Sequence, residues 1–423
     1  MIPLAVFTAI LSLTIILSQL TAFRRLKNYI LTEINQNSDG LRNFHPKLSV
    51  ILPCKGFDPD FDQNLKILLN QNYPNNLNQS NYEVIFILGD KQDDSYRLIE
   101  EAILKYPQIN TKLLIAKPDF KNVHKLNSQL CGLKEIAQDS EVVVFVDSDV
   151  IANQNFLANL INPLQNSAIG LTTGYRFYVP RSFNIPGILR TIWNRVSAWE
   201  MANPNLVFAW GGAMAIKVDT IKKINLFKLW ENCADDDLSL TKAVKQLNLQ
   251  VKFVPQCLVA SYADGSFAEI NEWTNRQLLL TKFYYPELWF SAMIKSTVLF
   301  LFSMIQLIAF IQIILGQGFY ALIILGFGLL LFLFELGLFL YSHKFWYQIL
   351  IKSWQDNITV QQKLDLSFYE SFSKSLLQFY IIIPLAHLVL PLISLTSIFI
   401  NTLKWRGLVY KINKPHDIKL ITS

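Results

Sequence analysis

The sequence predicts an α/β domain built on a mostly parallel sheet flanked by helices, with transmembrane helices at its N-terminal and C-terminal ends. Three observations carry this. Short β-rich runs alternate with polar, helix-prone stretches between about residues 45 and 285, as βαβ units do. Long apolar runs flank that region on both sides, and a helix needs about 20 such residues to cross a bilayer. Hydrophobic residues make up 52% of the 423 and charged residues 17%, which excludes a disordered or collagen-like chain.

The first element is the apolar run 2–22, part of an N-terminal anchor spanning residues 1–28. Arg24, Arg25 and Lys27 follow it and no basic residue precedes it. It therefore reads as a retained anchor rather than a cleaved signal peptide. The positive-inside rule places its C-terminal end, and the domain after it, in the cytosol. Within the globular domain, 45–285, the strand candidates are residues 48–53, 82–88 and 141–146, with 112–116 between the last two. Residues 92–105 and 123–137 separate them as helix-prone stretches. Such sheets bind ligands at the carboxyl ends of their strands. In the stretch 185–199, Ile185, Ile188, Leu189, Ile192, Trp193, Val196 and Trp199 recur at helical spacing, with Arg190 and Arg195 off the stripe. This fits an interfacial helix dipping into the headgroup region, or a helix facing a core.

Composition shifts at residue 294. Residues 294–315 and 319–341 are each long enough to span, and the Gly316-Gln317-Gly318 link makes 294–342 a hairpin. Residues 343–373 are polar with aromatic residues, as suits an interfacial segment. The final segment, 374–423, holds an apolar run interrupted by Pro384 and Pro391, with His387 between them, and then the basic residues Lys404, Arg406, Lys411 and Lys414. A fourth full crossing would put that basic tail outside, against the charge bias. The Pro-broken run is therefore expected to be re-entrant, or to form two short elements.

Lys and Arg total 38 against 32 Asp and Glu, a net charge of +6. The excess lies beside apolar runs and forms no dense stripe of the nucleic-acid-binding kind. Cys54, Cys131, Cys233 and Cys257 form no CxxC pair, which argues against a zinc knuckle and for a reducing compartment.

Chemistry is suggested by acidic residues. Asp147-Ser148-Asp149 follows the run 143–146 directly, so the strand delivers two carboxylates to the sheet edge. Hard oxygen ligands there suit Mg²⁺ or Mn²⁺ bridging a diphosphate, although Asp and Ser are also ordinary turn residues. Asp90 ends the 84–88 run in the same way. Asp235-Asp236-Asp237 opens a helical stretch. One of these carboxylates can serve as a general base, or the trio can be an acidic helix N-terminus. Gly211-Gly212 after Trp210 permits close backbone approach to a ligand, or tight packing.

Taken together, the chain resembles a family 2-type glycosyltransferase, in particular the ceramide glucosyltransferase group and its bacterial relatives. The pieces are Val50-Ile51-Leu52-Pro53-Cys54-Lys55-Gly56-Phe57-Asp58-Pro59, then Asn64-Leu65, Gln71-Asn72-Tyr73-Pro74 and Tyr82-Glu83-Val84, in the family's order. Asp90 matches its first aspartate, Asp147-Ser148-Asp149 its second acidic motif, and Asp236-Asp237 its Glu-Asp pair. Trp405-Arg406-Gly407 with Tyr410 resembles its cytosolic ending. The resemblance implies a GT-A-like domain and a nucleotide-sugar donor, a UDP-sugar. It also implies an inverting transfer to a membrane lipid at the bilayer. Asp237 would be the base beside Asp236. Pro53, Lys55, Asp90, Asp147 and Arg276 would hold the donor, and Asp149 with Asp147 the Mg²⁺ or Mn²⁺. The family's (Gln/Arg)-x-x-Arg-Trp motif departs here to Arg276-Gln277-Leu278-Leu279-Leu280, and its Lys aligns with Asn122, flanked by Lys121 and Lys125. Two alternatives remain: a processive polysaccharide synthase, and a catalytically silent membrane protein on the same scaffold.

Overall fold

The computed structural model describes residues 2–40, 44–56, 61–76, 79–117, 122–180, 182–316, 318–354, 376–405 and 408–422. The motif residues Phe57, Asp58 and Pro59, and likewise Lys121, Gln317, Arg406 and Gly407, lie outside the described residues. The chain opens with a single helix, α1 (Ile2–Gly40). Its first turns present Ile2, Val6, Ile10 and Leu13 outward. Further along, Phe23, Leu26 and Ile30 are buried in the main core. No Gly or Pro interrupts residues 23–35, so nothing stops the helix. The anchor therefore continues into the domain as one element, beyond the expected boundary at 28.

The main sheet runs β5-β4-β1-β6-β8-β7-β9. Its strands are β1 (Leu48–Pro53), β4 (Tyr82–Leu88), β5 (Asn110–Ile115), β6 (Val142–Val146), β7 (Ile169–Val179), β8 (Ala213–Lys217) and β9 (Gln250–Tyr262). A separate hairpin joins β2 (Asn75–Asn76) to β3 (Gln79–Ser80). β5, β4, β1 and β6 are mutually parallel, β8 is antiparallel to both neighbours, and β7 pairs with β9 in parallel. Helices α2 (Phe61–Leu68), α3 (Ser95–Lys105) and α4 (His124–Lys134) make the crossovers. β4 and β6 are buried along their whole length, which is why β6 and, after Glu83, β4 read as unbroken apolar runs rather than alternating ones. Ile51, Ile85 and Phe145 face one core, and Val50, Val84 and Val144 the other.

The next helices are α5 (Phe156–Ile161), α6 (Ile185–Ala198), α7 (Val218–Ile224), α8 (Leu226–Leu229), α9 (Asp237–Gln246) and α10 (Phe267–Tyr284). Part of the apolar stripe of α6 faces a core. Ile188, Leu189 and Ile192 pack on Phe339, Ile382, Ile383, Ala386 and Leu390 of the membrane helices.

Those helices are α11 (Pro286–Ile314), α12 (Phe319–Trp354) and α13 (Leu376–Thr396). Among the described residues, three stretches are long and apolar enough to cross a bilayer: Ile2–Asn35, Pro286–Ile314 and Phe319–Trp346. Residues 343–354, expected to be interfacial, instead continue α12, with Phe345, Trp346 and Ile349 in the main core; residues 355–373 lie outside the described residues. Trp346 reaches Phe177 of β7, with ring centroids 5.1 Å apart.

The Pro-broken run is one helix rather than two pieces, with Pro384 and Pro391 inside it. A proline removes the bond to the carbonyl four residues back. For Pro391 that carbonyl is His387 O, and it accepts from Ser303 Oγ at 3.4 Å. Neighbouring side chains relieve such breaks in membrane helices. α13 lies along α6 and reaches α10, where Lys282 Nζ donates to Ile398 O at 2.7 Å. The tail then forms an antiparallel sheet that sequence reading missed: β10 (Thr402–Trp405), β11 (Leu408–Lys414) and β12 (Asp417–Thr422). Leu403, Tyr410, Ile412 and Ile418 join the main core, so the tail lies on the same side as the sheet.

This packing predicts that Ile412→Ala, at a fully buried position, destabilises by about 2–5 kcal/mol. Ile421→Ala, at a 52% exposed position, should change stability by about 0.5 kcal/mol or less. Thermal midpoints in detergent check both, and equal effects would mean that the tail does not dock.

Candidate functional site

Sheet topology assembles the site. β6 ends at Val146 and hands over to Asp147-Ser148-Asp149 at its carboxyl end. β8 runs the other way, with Ala213 opposite Val146, so the Gly211-Gly212 turn enters at the same edge. β7 outruns β8 there and carries Arg176 past it. Because successive strand residues face opposite sides, Tyr175 and Phe177 go into the core while Arg176 faces the acids. Its guanidinium grips Asp149 at both oxygens, at 2.6 and 2.9 Å, and stands 3.8 Å from Asp147. Trp210 backs it, with the guanidinium carbon 4.8 Å from the ring centroid.

Lys125, in the first turn of α4, is the second cation. Its Nζ lies 2.8 Å from Asp147 and 2.9 Å from Asp236. One turn on, Gln129 Nε2 donates to the same Asp236 oxygen at 2.9 Å. Burial pulls the Lys125 pKa down, but Asp147 and Asp236 more than offset it and hold it above the usual lysine value. A Cβ at Gly211 would come within 2.7 Å of Asp236 and 2.8 Å of Lys125 Nζ, so a larger residue there would have to displace that pair.

The three adjacent aspartates have three environments. Asp235 is buried and accepts the Ser239 N–H at 2.9 Å; burial, then the charges of Asp237 and Asp236, push its pKa well up. Asp236 is bound to Lys125 and Gln129. Asp237 begins α9 and accepts the Gly211 N–H at 2.7 Å. Burial first and Asp236 second raise its pKa to about 7, against the pull of Lys125 and that N–H. The helix N-terminus and the chemically poised carboxylate, alternatives in the sequence, are the same feature.

These groups line one cavity of about 730 Å³. Pro53, Lys55, Asp147, Asp149, Asp236, Asp237 and Arg276 all lie on its wall. Asp90 does not. It is exposed at the end of β4, and its carboxylate accepts the Gln92 N–H at 3.0 Å. Arg276 has its pKa lowered by burial, with Arg176 and Arg190 adding to that. Of the departing residues, Leu279 is fully buried in the core. Arg176 was missed because an Arg within an aromatic strand reads as solvent-facing. The signal would have been the strand order, which no sequence pattern prints.

A divalent cation fits this donor set. Asp147 and Asp149 both face Arg176 Nη2, so a cationic nitrogen already stands where two carboxylates converge. Among the described residues no three His, Cys, Asp or Glu side chains gather as a metal cage. Mg²⁺-type ions commonly take one or two carboxylates and complete their shell with phosphates and water.

The chain matches the family model for glycosyl transferase family 21 over residues 4–418. A ceramide glucosyltransferase of Candida albicans is 26% identical over 130 residues, which are 28% of this chain and 23% of that protein's length. A mannosyltransferase from Pyrobaculum calidifontis, solved with GDP-Man and Mn2+, superposes with a TM-score of 0.43 at 14% identity, covering 91% of this chain and 99% of that one. S. aureus TarS 1–349 with UDP-GlcNAc gives 0.36 at 17% identity, covering 55% and 66%.

The Asp237 environment has a consequence for stability. The folded chain keeps a proton up to about pH 7 that an unfolded chain releases near pH 4. Stability therefore falls as pH rises through that window, and Asp237→Asn should make the fall shallower. Thermal midpoints of both proteins across the window check this; identical slopes would put the proton elsewhere.

Proposed function

The chain belongs to glycosyl transferase family 21, and from that premise we propose that it moves a sugar from a UDP-sugar to the hydroxyl of a membrane lipid, inverting the anomeric carbon. The supporting observation is the shared cavity. Its wall carries the acid cluster and also residues of the membrane helices, such as Ile15, Leu299 and Ile383. A lipid can thus stay in the bilayer while its hydroxyl reaches Asp237. The basic residues Arg24, Arg25 and Lys27, which follow the apolar run 2–22 within α1, favour a cytosolic face for the domain.

Asp237 is the proposed base. A carboxylate with a pKa of about 7 is matched to work near neutral pH. It takes the hydroxyl proton as that oxygen attacks the anomeric carbon from the face opposite the diphosphate. The bond from carbon to diphosphate oxygen breaks through an oxocarbenium-like state, and the nucleoside diphosphate leaves with the electron pair. Asp236 stays with Lys125 and fixes the α9 N-terminus. Pro53 and Lys55 border the nucleotide end, and Asp90, exposed at the end of β4 and off the cavity wall, is the proposed contact for the nucleoside. Arg176 over Trp210, with Arg276, offers the diphosphate the guanidinium that Leu279 and Leu280 do not. Asp149 and Asp147 would hold Mg²⁺ or Mn²⁺, which as a Lewis acid stabilises the leaving diphosphate.

Radiolabelled transfer into total lipid extract, from membranes with a panel of nucleotide sugars, tests this. Native protein should label lipid, and Asp237→Asn should label roughly 10²–10⁴-fold less while still binding donor. The native kcat/KM should rise about tenfold per pH unit up to about pH 7 and then level. Absence of both transfer and donor binding would favour the silent scaffold.

A further inference from the structure

The tail sheet turns one face to the core and the other to its surroundings. Leu403, Tyr410, Ile412 and Ile418 point inward. Alternation along the strands then turns Lys404, Lys411 and Lys419 outward, and all three are exposed. β11 and β12 pair so that Lys411 stands directly opposite Lys419. Lys404 is opposite Val409 and so is a diagonal neighbour of Lys411, about 7–8 Å away. Like charges directly opposite each other destabilise an antiparallel pair. Among the described residues no carboxylate forms an ion pair with any of the three. The acid of β12, Asp417, is opposite Lys414 at the hairpin turn and accepts from Asn413 Nδ2 at 3.4 Å. The fold therefore keeps three repelling cations together that its own side chains do not neutralise.

This face begins where the membrane helices end. α13 is apolar from Ile382 to Thr396. The chain leaving it is fastened by Lys282 Nζ on Ile398 O and by Trp289 Nε1, 3.4 Å from Ser397 Oγ. Trp289 is in the first turn of α11, which is long and apolar enough to cross. An indole at such a helix end marks the boundary between membrane and water. Phe399 comes next and is 86% exposed, beside a partly exposed Ile398. Asn401 O accepts the Ile412 N–H at 2.8 Å, and Thr402 is opposite Lys411. The chain from Phe399 to Thr402 and one strand spacing put Lys411 within about 15 Å of Phe399. A lysine side chain can snorkel across much of that distance.

We propose that the outer face of β10–β12 docks on the anionic lipids of the protein's own bilayer. Lys404, Lys411 and Lys419 meet negative headgroups, and Phe399 enters the apolar layer beside them. Lysine suits this partner, because an ammonium is a mobile point charge with no fixed fork to match, and a bilayer surface offers charge without fixed geometry. The described residues of this face include no aromatic ring, as a surface that stacks nucleic-acid bases would. Leu403 lies between Thr402 and Lys404 on the opposite face and lines the cavity. Docking thus seats a strand that walls the cavity. The proposal goes beyond the transfer reaction and does not rest on it.

The test uses the full chain in phosphatidylcholine nanodiscs. These are doped with equal amounts of a headgroup-photoreactive phosphatidylglycerol or a matching photoreactive phosphatidylcholine. Crosslinks are mapped to peptides, and those on α11 serve as the reference for general lipid contact. Each lysine near an anionic surface contributes about fivefold, so the tail peptides should prefer phosphatidylglycerol about tenfold or more at low salt. That preference should fall as ionic strength rises. Replacing the three lysines together, Lys404→Gln, Lys411→Gln and Lys419→Gln, should abolish it and leave the α11 crosslinks unchanged. The same variant should melt slightly higher in detergent, because the repulsion is gone. The native salt series needs no variant to fold. Equal tail crosslinking of both lipids by native protein at low salt would overturn the proposal, as would a preference that survives in the triple variant. Tail peptides that crosslink neither lipid would also overturn it and point to a soluble acidic partner.

Discussion

The site depends on one lysine. Lys125 Nζ joins Asp147, at the end of β6, to Asp236, at the start of α9, across less than 3 Å on each side. Without a cation there, the carboxylates that β6 and α9 bring to one sheet edge would repel each other in a partly desolvated place. Unpaired buried charge costs several kcal/mol, so the edge and the helix could not approach. Arg176 does the same for Asp149. The two cations divide the work. Lys125 fixes structure, holding three elements in register. Arg176 lies over Trp210 beside the cavity and can exchange its acidic partner for a phosphate, since a planar guanidinium matches both.

Much of the scaffold was legible because its signals are local. β1 and β4 were bounded to the residue, since each is a largely apolar run, broken only by Ser49 or Glu83, that is stopped by Pro53 in one case and by Gly89-Asp90 in the other. The acidic motifs were legible for a related reason: residues directly after a parallel strand lie at the sheet's carboxyl edge. The failures were long-range. Arg176 alternates correctly on its strand, but only the position of β8 tells that its outer face looks at Asp149. The three tail strands carry Lys404, Lys411, Lys414 and Lys419 on their outer side and too few apolar residues to announce a sheet. Their burial comes from the surface they land on. The prolines of α13 predicted a break that a serine on another helix repairs.

Membrane and globular parts share one core here. α1 starts among the membrane helices and ends in the main core through Phe23, Leu26 and Ile30. Trp346 carries α12 into the same core, and α6 carries the domain into the membrane helices. The cavity therefore has walls from both parts, and its polar groups are graded along it. Carboxylates and guanidiniums stand at the sheet edge, then Glu200 with Arg25 and Lys295, and Gln19, Glu335 and His387 among apolar residues beyond.

The same grading argument separates the three adjacent aspartates. Identical side chains take different roles when their surroundings push their pKa values apart. Asp235 is buried deepest and bonded to Ser239, and burial with the charges of Asp237 and Asp236 pushes its pKa well up. Its carboxylate and its carbonyl are both taken up by Ser239, which holds the turn into α9. Asp236 is paired with its lysine and held by Gln129, so both its charge and its orientation are already committed. Asp237 faces the cavity with a backbone N–H as its partner and a pKa near neutrality. Its elevation derives in part from Asp236, whose charge is itself held in place by Lys125. The proposed base is therefore tuned by its neighbour, and the neighbour by the lysine. Replacing Lys125 with a neutral residue would release Asp236, let the paired carboxylates share a proton, and move the Asp237 titration away from the range in which a base is useful.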